Sequence, residues 1–240
     1  MFSGRGPSLR ELAVQALSSV ERGYDLLAPK FDHTPFRTPD RVLDATAGAL
    51  RPFGPFGQGL DVCCGTGAGM RVLGSLCDGR VTGVDFSAGM LAQARQAHPE
   101  AEWVRADVRS LPFDGAFDLA VTFGALGHLL PGERPAVFGG VYRALRPGGL
   151  LAFPVGAPPP VGSRLYWALL GFDAVMRVRN AVWRPPFVMY YRTCPLDALR
   201  DDLSAAGFGV TSVPLEALGA REDGVPRGRL LLARKPGPRS

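Results

Sequence analysis

The sequence predicts an α/β fold: a mostly parallel seven-stranded sheet with an antiparallel last strand and helices on both faces. Three observations lead there. From residue 59 onward, short apolar runs alternate with helix-patterned stretches, the rhythm of a parallel sheet joined by crossover helices. The strand runs are apolar throughout rather than at every second residue, as strands covered on both sides require. At the end of the chain, "GVTSVPL" and "GRLLLARK" flank the turn signal "EDGVPRG", which predicts that the last two strands run antiparallel.

The elements follow in order. "SLRELAVQALSSV" reads as an amphipathic helix: Ser8 and Glu11 form a capping-box pattern, and Leu9, Leu12, Ala16, Leu17 and Val20 share a face. A loop and a short helix fill the stretch to residue 52. "GLDVCC" is the first strand and "GAGMRVLGSLC" a helix after glycines. "RVTGVD" is the second strand, and "SAGMLAQARQA" a helix with Ser87 as its N-cap. "AEWVRAD" and "FDLAVTFGAL" are strands three and four, "ERPAVFGGVYRAL" is a helix that stops at "RPGG", and "LLAFPV" is strand five. The rhythm breaks at "GAPPPVG" and resumes with the helix "CPLDALRDDLSAAGF" and the last two strands. Residues 1–240 therefore read as a single domain, with 1–50 as an N-terminal helical cap and 157–195 as an insertion or lid between strands five and six.

A chain of 240 residues that is 46% hydrophobic can bury the core of one domain. Its formal charge of +5 is carried almost wholly by arginine and lacks the dense basic footprint of a dedicated nucleic-acid binder, so nucleic acid is disfavoured as a partner. No apolar run approaches the ~18 residues of a membrane span, and the N-terminus lacks a signal-peptide core. A soluble cytoplasmic protein, monomer or homodimer, is expected. Cys63, Cys64, Cys77 and Cys194 form no C-x-x-C pair, and His33, His98 and His128 stand apart. No metal site is expected from that spacing.

"LDVCCGTGAGM" carries the chemistry. A strand followed by glycines and a helix presents backbone N–H groups at the carboxyl edge of a sheet. A mononucleotide phosphate loop would need G-x-x-x-x-G-K-[ST], and a dinucleotide loop would need glycine where Met70 stands. The residues instead resemble the class I SAM-dependent methyltransferases. "LDVCCGTG", "VTGVDFSAGML", "WVRADVRSLPF", "FDLAVTFGALGHL" and "YRALRPGGLLAF" look like that family's five motifs, in order, across about residues 60–155. The double cysteine resembles methyltransferases of ubiquinone and menaquinone biosynthesis. The resemblance implies a Rossmann-like class I methyltransferase fold, with S-adenosylmethionine (SAM) as cofactor and S-adenosylhomocysteine (SAH) as product.

The resemblance also implies roles. Asp61 would order the loop and help hold the methionine amino group. Gly65, Thr66 and Gly67 would let the backbone approach the ligand. Cys63, where the family commonly has glycine, would lie beside the cofactor as a small apolar residue rather than a nucleophile. Asp85 would accept from both ribose hydroxyls, the bland alternative being that it merely caps the next helix. Phe86 and Met90 would pack on the adenine or belong to the core. Asp107, with the Val108 backbone beside it, would accept from the adenine amino group or serve a turn. Phe123 and Gly124 would end strand four near the reacting methyl group.

Methyl transfer from a sulfonium is an in-line displacement that needs alignment and exclusion of water more than dedicated groups. An acceptor hydroxyl or acidic carbon gains from a general base. His128, in "GALGHLLPGE", is the candidate base. Tyr24, in "ERGYDLLAPKFD", is the candidate residue that closes the site. From Ser163 to Arg192, five arginines stand against one acid, Asp173, interleaved with Tyr166, Trp167, Phe172, Trp183, Phe187, Tyr190 and Tyr191. Such a cover suits a lipophilic or anionic acceptor, peripheral contact with a membrane, or a dimer interface; the acceptor expected overall is a small molecule of lipophilic or aromatic character. A nucleic-acid methyltransferase and a catalytically silent SAM-binding protein are the rival readings; "FGALGHL" stands where base-nitrogen methyltransferases often carry an Asn/Asp-Pro-Pro-aromatic motif.

Overall fold

The computed structural model describes residues 6–8, 10–11, 14, 18–34, 36–182 and 195–237. Leu9, Leu12, Ala16 and Leu17 of the expected N-terminal face lie outside the described residues, as do Cys194, Trp183, Arg184, Phe187, Tyr190, Tyr191 and Arg192 of the insertion. The capping box itself is present: the Ser8 N–H donates to Glu11 Oε2 at 2.7 Å, and the Glu11 N–H to Ser8 Oγ at 3.3 Å.

Seven strands form one sheet in the order β3-β2-β1-β4-β5-β7-β6. They are β1 (Gly59–Val62), β2 (Val81–Asp85), β3 (Glu102–Arg105), β4 (Phe117–Val121), β5 (Leu145–Gly156), β6 (Gly209–Pro214) and β7 (Gly228–Arg234). β1 pairs in parallel with β2 and with β4, so that Leu60 sits between Thr82 and Ala120. β7 runs antiparallel to both β5 and β6. The chain steps outward from β1 to β3 and then returns to β4. The carboxyl ends of β1 and β4 therefore flank the point where strand order reverses, and a crevice opens at such a point.

The helices are α1 (Val20–Leu27), α2 (Asp40–Leu50), α3 (Met70–Leu73), α4 (Ala88–Ala97), α5 (Arg134–Ala144), α6 (Arg164–Val182) and α7 (Leu196–Ala205). Both faces of the sheet are apolar, which is why its strands read as unbroken hydrophobic runs. Leu60, Val62, Leu151 and Phe153 point to one face and pack with Phe138 and Val141 of α5 and Leu199 and Leu203 of α7. Leu119, Val121, Leu150 and Leu232 point to the other and meet Leu43 and Leu50 of α2 and Leu73 of α3. Each such side chain contributes about 1.5–3 kcal/mol by leaving water. No described helix is long and apolar enough to cross a membrane.

Three expectations need correction. Strand four stops at Val121, so Phe123 and Gly124 follow it, with Gly124 opening the 3-10 turn Ala125–His128 rather than ending the strand. "GAGMRVLGSLC" forms a single helical turn, Met70–Leu73, not a full helix. Gly74 caps it, and Phe56 bridges to Cys77 beside β1, so the segment bends back to the strand's start. The link between β6 and β7 is also not a tight hairpin turn. It holds a 3-10 turn at Glu216–Leu218 and a bridge between Ala220 and Pro226. The expected turn is only the tip of that loop, closed where the Arg221 N–H donates to the Val225 carbonyl.

Candidate active site

The loop after β1 is held by backbone conformation. Gly65 and Gly67 have φ of 54° and 92°, values that cost glycine little. Cys63 has φ of 57° and is the one non-glycine residue in the left-handed region among the described residues. That conformation costs an ordinary residue roughly 1–2 kcal/mol. Burial, reinforced by neighbouring carboxylates that begin with Asp85, pushes the Cys63 thiol well above its ordinary range. Burial acts on Cys64 in the same way, with Asp61 the first carboxylate. Both thiols stay protonated and poorly nucleophilic.

Asp61 leaves β1 only 1% exposed. The Gly69 N–H bonds it, and a Cβ on Gly69 would stand 2.3 Å from Asp61 Oδ2. Glycine is thus required at 69 for the turn to close on the carboxylate. Oδ2 has no hydrogen-bond partner among the described residues. Burial first, then the charge of Asp85, raises Asp61 well above the usual carboxylate range. Such a group is short of a cation or a donor.

Asp85 ends β2 and joins two loops: its Oδ2 accepts from the Gly65 N–H and its Oδ1 from the Ser87 N–H, both at 2.9 Å. The Phe86 N–H also acts on this carboxylate, which still keeps lone-pair capacity for a further donor. Burial raises its pKa while these backbone donors oppose the rise. Ser87 caps α4 through the Met90 N–H. Asp107 caps the 3-10 turn Val108–Ser110 and is gripped by Arg109, whose guanidinium lowers its pKa and also reaches Glu133 at 2.7 Å. Any adenine contact at Asp107 would share that carboxylate with Arg109.

α1 and the turn after it are tied across this edge. Asp25 Oδ1 accepts from Ser87 Oγ at 2.6 Å and from the Gly89 N–H at 2.9 Å. The approach is close enough that a Cβ on Gly89 would lie 2.9 Å from Asp25 Cα. Thr66 Oγ1 donates to Asp32 at 2.6 Å, and Arg105 pairs with Glu21 at 2.9 Å. Tyr24 Oη and His128 Nε2 share a 2.7 Å hydrogen bond across 104 residues of sequence, with their rings edge to face.

Between these parts lies a cavity of about 920 Å³, at the upper end of the range for small-molecule sites. Asp61, Cys63, Gly65, Thr66, Asp85, Phe86, Met90, Asp107, Val108, Phe123, Gly124, Tyr24 and His128 all line it. Gly67 does not: it faces Trp103, and a Cβ there would lie 3.0 Å from the indole. Met90 is buried as well as lining the wall. Sequence reasoning missed Phe31, Phe36 and Arg37 of the wall. Their only signal was the aromatic-basic content of "FDHTPFRTP" next to Tyr24. It also missed Asp25, whose role depends on a fold contact.

The residues present fit SAM. The unpartnered oxygen of Asp61 suits an ammonium group, the spare acceptor capacity of Asp85 suits a diol, and the cavity leaves room for an acceptor beside them.

Comparison with known proteins agrees. Residues 60–149 match the family model described as "Methyltransferase domain". Demethylmenaquinone methyltransferase of Thermus thermophilus is 40% identical over 165 residues, covering 63% of this chain and 74% of that protein. 2-Phytyl-1,4-naphtoquinone methyltransferase of Thermosynechococcus vestitus is 37% identical over 99 residues, 39% of this chain and 43% of that protein. The chain spans less than half the length of most curated relatives it matches. An O-methyltransferase family protein of Burkholderia thailandensis shares the fold, with a TM-score of 0.69 and 16% identity, covering 96% of this chain and 67% of that one. The ordered motifs, the glycine loop on Asp61 and Asp85, and the Thermus relative lead to one conclusion: the chain belongs to the class I SAM-dependent methyltransferases.

Proposed function

We propose that the protein binds SAM in this cavity and catalyses methyl transfer to a lipophilic or aromatic small molecule. Acceptors of the quinone kind, for which the Thermus and Thermosynechococcus relatives are named, are the first to try. The observation that carries the reading is the buried Asp61, one of whose oxygens is unpartnered among the described residues, lining the same cavity as Asp85 and the Tyr24–His128 pair. When bound, SAM supplies a methyl group on a sulfonium, leaving SAH after transfer.

The chain's own residues do the rest. Asp61 holds the ammonium end and Asp85 the ribose hydroxyls. Phe86 and Met90 form the apolar wall for the adenine, with Asp107 and the Val108 backbone at its polar edge, while Phe123 and Gly124 border the acceptor side. The segment containing α1 excludes water, and the insertion from residue 157 completes the cover as a lid. A proton leaving an acceptor hydroxyl or acidic carbon passes to His128, directly or through the Tyr24 phenol, because the 2.7 Å bond couples the two groups. The same reading takes the protein as cytoplasmic, as a monomer or homodimer, with peripheral membrane contact suited to a lipophilic acceptor.

The test is methylation of reduced naphthoquinones and of a cell lipid extract with SAM, read by mass spectrometry for the wild type, His128→Asn and Tyr24→Phe. Both variants should turn over more slowly, with an altered rate profile between about pH 6 and 9. SAH binding with no methylated product from either source would leave a silent SAM-binding protein and overturn the enzyme reading. Unchanged profiles would remove the proton-transfer role.

A further inference from the structure

The helix α6 leaves the sheet on its own terms. Asp173 and Met176 are buried, and Tyr166 and Leu169 are half-buried on the same side. At 3.6 residues per turn, the opposite side carries Trp167, Gly171, Ala174, Val175, Val178 and Val182, all exposed. Trp167 is 60% exposed, Val178 67% and Val182 80%. Arg164 opens the same stripe, exposed, while Arg177 and Arg179 lie on its two flanks. The helix's single acid, Asp173, is turned inward and lies 3.1 Å from Arg177. The outward face is therefore apolar with a basic border and no acid.

We propose that this face docks the protein onto an anionic lipid bilayer, with α6 lying in the plane of the interface. Apolar side chains with an indole on one face and arginines at its border are what a helix needs to sit at the headgroup level. Arg164, exposed at the start of the stripe, adds attraction to anionic headgroups. A second copy of the chain suits the face less well. Nineteen residues make a helix about 28 Å long, and a strip about 10 Å wide gives roughly 280 Å². That is far below the ~800 Å² per partner of a stable interface. A two-fold pair would also set arginine-bordered faces against each other with no acid between them. The proposal is independent of which acceptor the cavity takes.

The test uses the full chain and vesicle flotation, comparing phosphatidylcholine with phosphatidylcholine containing about a third phosphatidylglycerol. Circular dichroism and SAH calorimetry serve as folding controls. The wild type should partition onto the anionic vesicles at least about tenfold better, and high salt should reduce the difference. Val178→Glu should weaken partition at least about tenfold, and Arg164→Gln by about fivefold. Trp167 fluorescence should be quenched by brominated lipids, with the quenching lost in Trp167→Phe; that readout stands even if Val178→Glu does not fold. No flotation of the wild type, or a Val178→Glu variant that folds and floats equally well, would overturn the proposal. A wild-type dimer that Val178→Glu dissociates, without flotation, would assign the face to self-association instead.

Discussion

Valine and leucine serve two different surroundings in this molecule. On β4 and β5, Leu119, Val121 and Leu150 point to one helix-covered face and Leu151 to the other, and each is almost wholly buried. On α6, Val175, Val178 and Val182 stand largely in solvent. The residue types are the same; what differs is the covering. A central strand has packed layers above and below it, whereas α6, among the described residues, buries one side and leaves the other in solvent. Apolar character in a sequence thus marks surface that wants to leave water, and topology decides whether the protein supplies the partner itself.

The largest effect should come from repeating one kind of truncation in both regions. Phe153→Ala or Leu119→Ala should cost about 3–5 kcal/mol, through lost transfer energy and the cavity left behind. Val178→Ser should stay within about 0.5 kcal/mol, because its site is already wet. Thermal and urea unfolding would measure both, and equal costs would mean that α6 packs far more tightly than described here.

Next comes the cofactor edge. Asp85→Asn removes a charged acceptor from the loop while keeping its shape. SAH and 5′-methylthioadenosine should both bind more weakly, by about ten- to a hundredfold, since both carry the ribose that Asp85 would hold. The same substitution should leave vesicle flotation through α6 unchanged, which separates the two regions.

Acid pH offers a third comparison. Burial raises the pKa of Asp61 and of Asp85 in the free protein, and a bound ammonium favours the ionised carboxylate. SAH binding should therefore weaken as pH falls through the acid range where these groups take up protons. Proton release on binding should appear as an enthalpy that depends on the buffer. For folding the sign is opposite: the raised pKa values mean that the folded state holds these protons more tightly than the unfolded chain. The contribution of the two carboxylates to apoprotein stability is thus greatest at low pH and falls as pH rises through the folded-state values. SAH affinity independent of pH across that range would deny Asp61 its role.

The smallest effect is at Cys63. Cys63→Gly relieves the left-handed strain and should change stability by about 1 kcal/mol or less, toward greater stability, because glycine's extra unfolded-state entropy offsets much of the gain. Cys63→Val should destabilise, since a branched side chain tolerates φ of 57° poorly. If Cys63→Gly lost stability clearly, the thiol's packing would outweigh its backbone strain.

What could be read in the sequence was local. The strands, the Ser8–Glu11 and Ser87 caps, and the lining positions of Asp61 and Asp85 follow from residues a few places apart, or from one strand-turn-helix unit. What could not be read depends on distant contacts. Tyr24 and His128 were separate candidates until the fold brought them to 2.7 Å. Asp25 shows nothing in sequence of its bonds to Ser87 and Gly89. Gly67 looked like a ligand contact, but it makes room for Trp103. The helix expected after the glycine loop shortened to one turn at Gly74, where tertiary pairing of Cys77 with Phe56 outweighed helical periodicity.

The central claim is that Asp61 awaits the ammonium end of a SAM-type ligand, and one pair of titrations tests it directly. Calorimetry of the wild type and Asp61→Asn with SAH, which carries the amino-acid end, should show at least about tenfold weaker binding in the variant. With 5′-methylthioadenosine, which lacks that end, the two proteins should bind alike. No SAH binding to the wild type, or an equal loss for both ligands, would contradict the account.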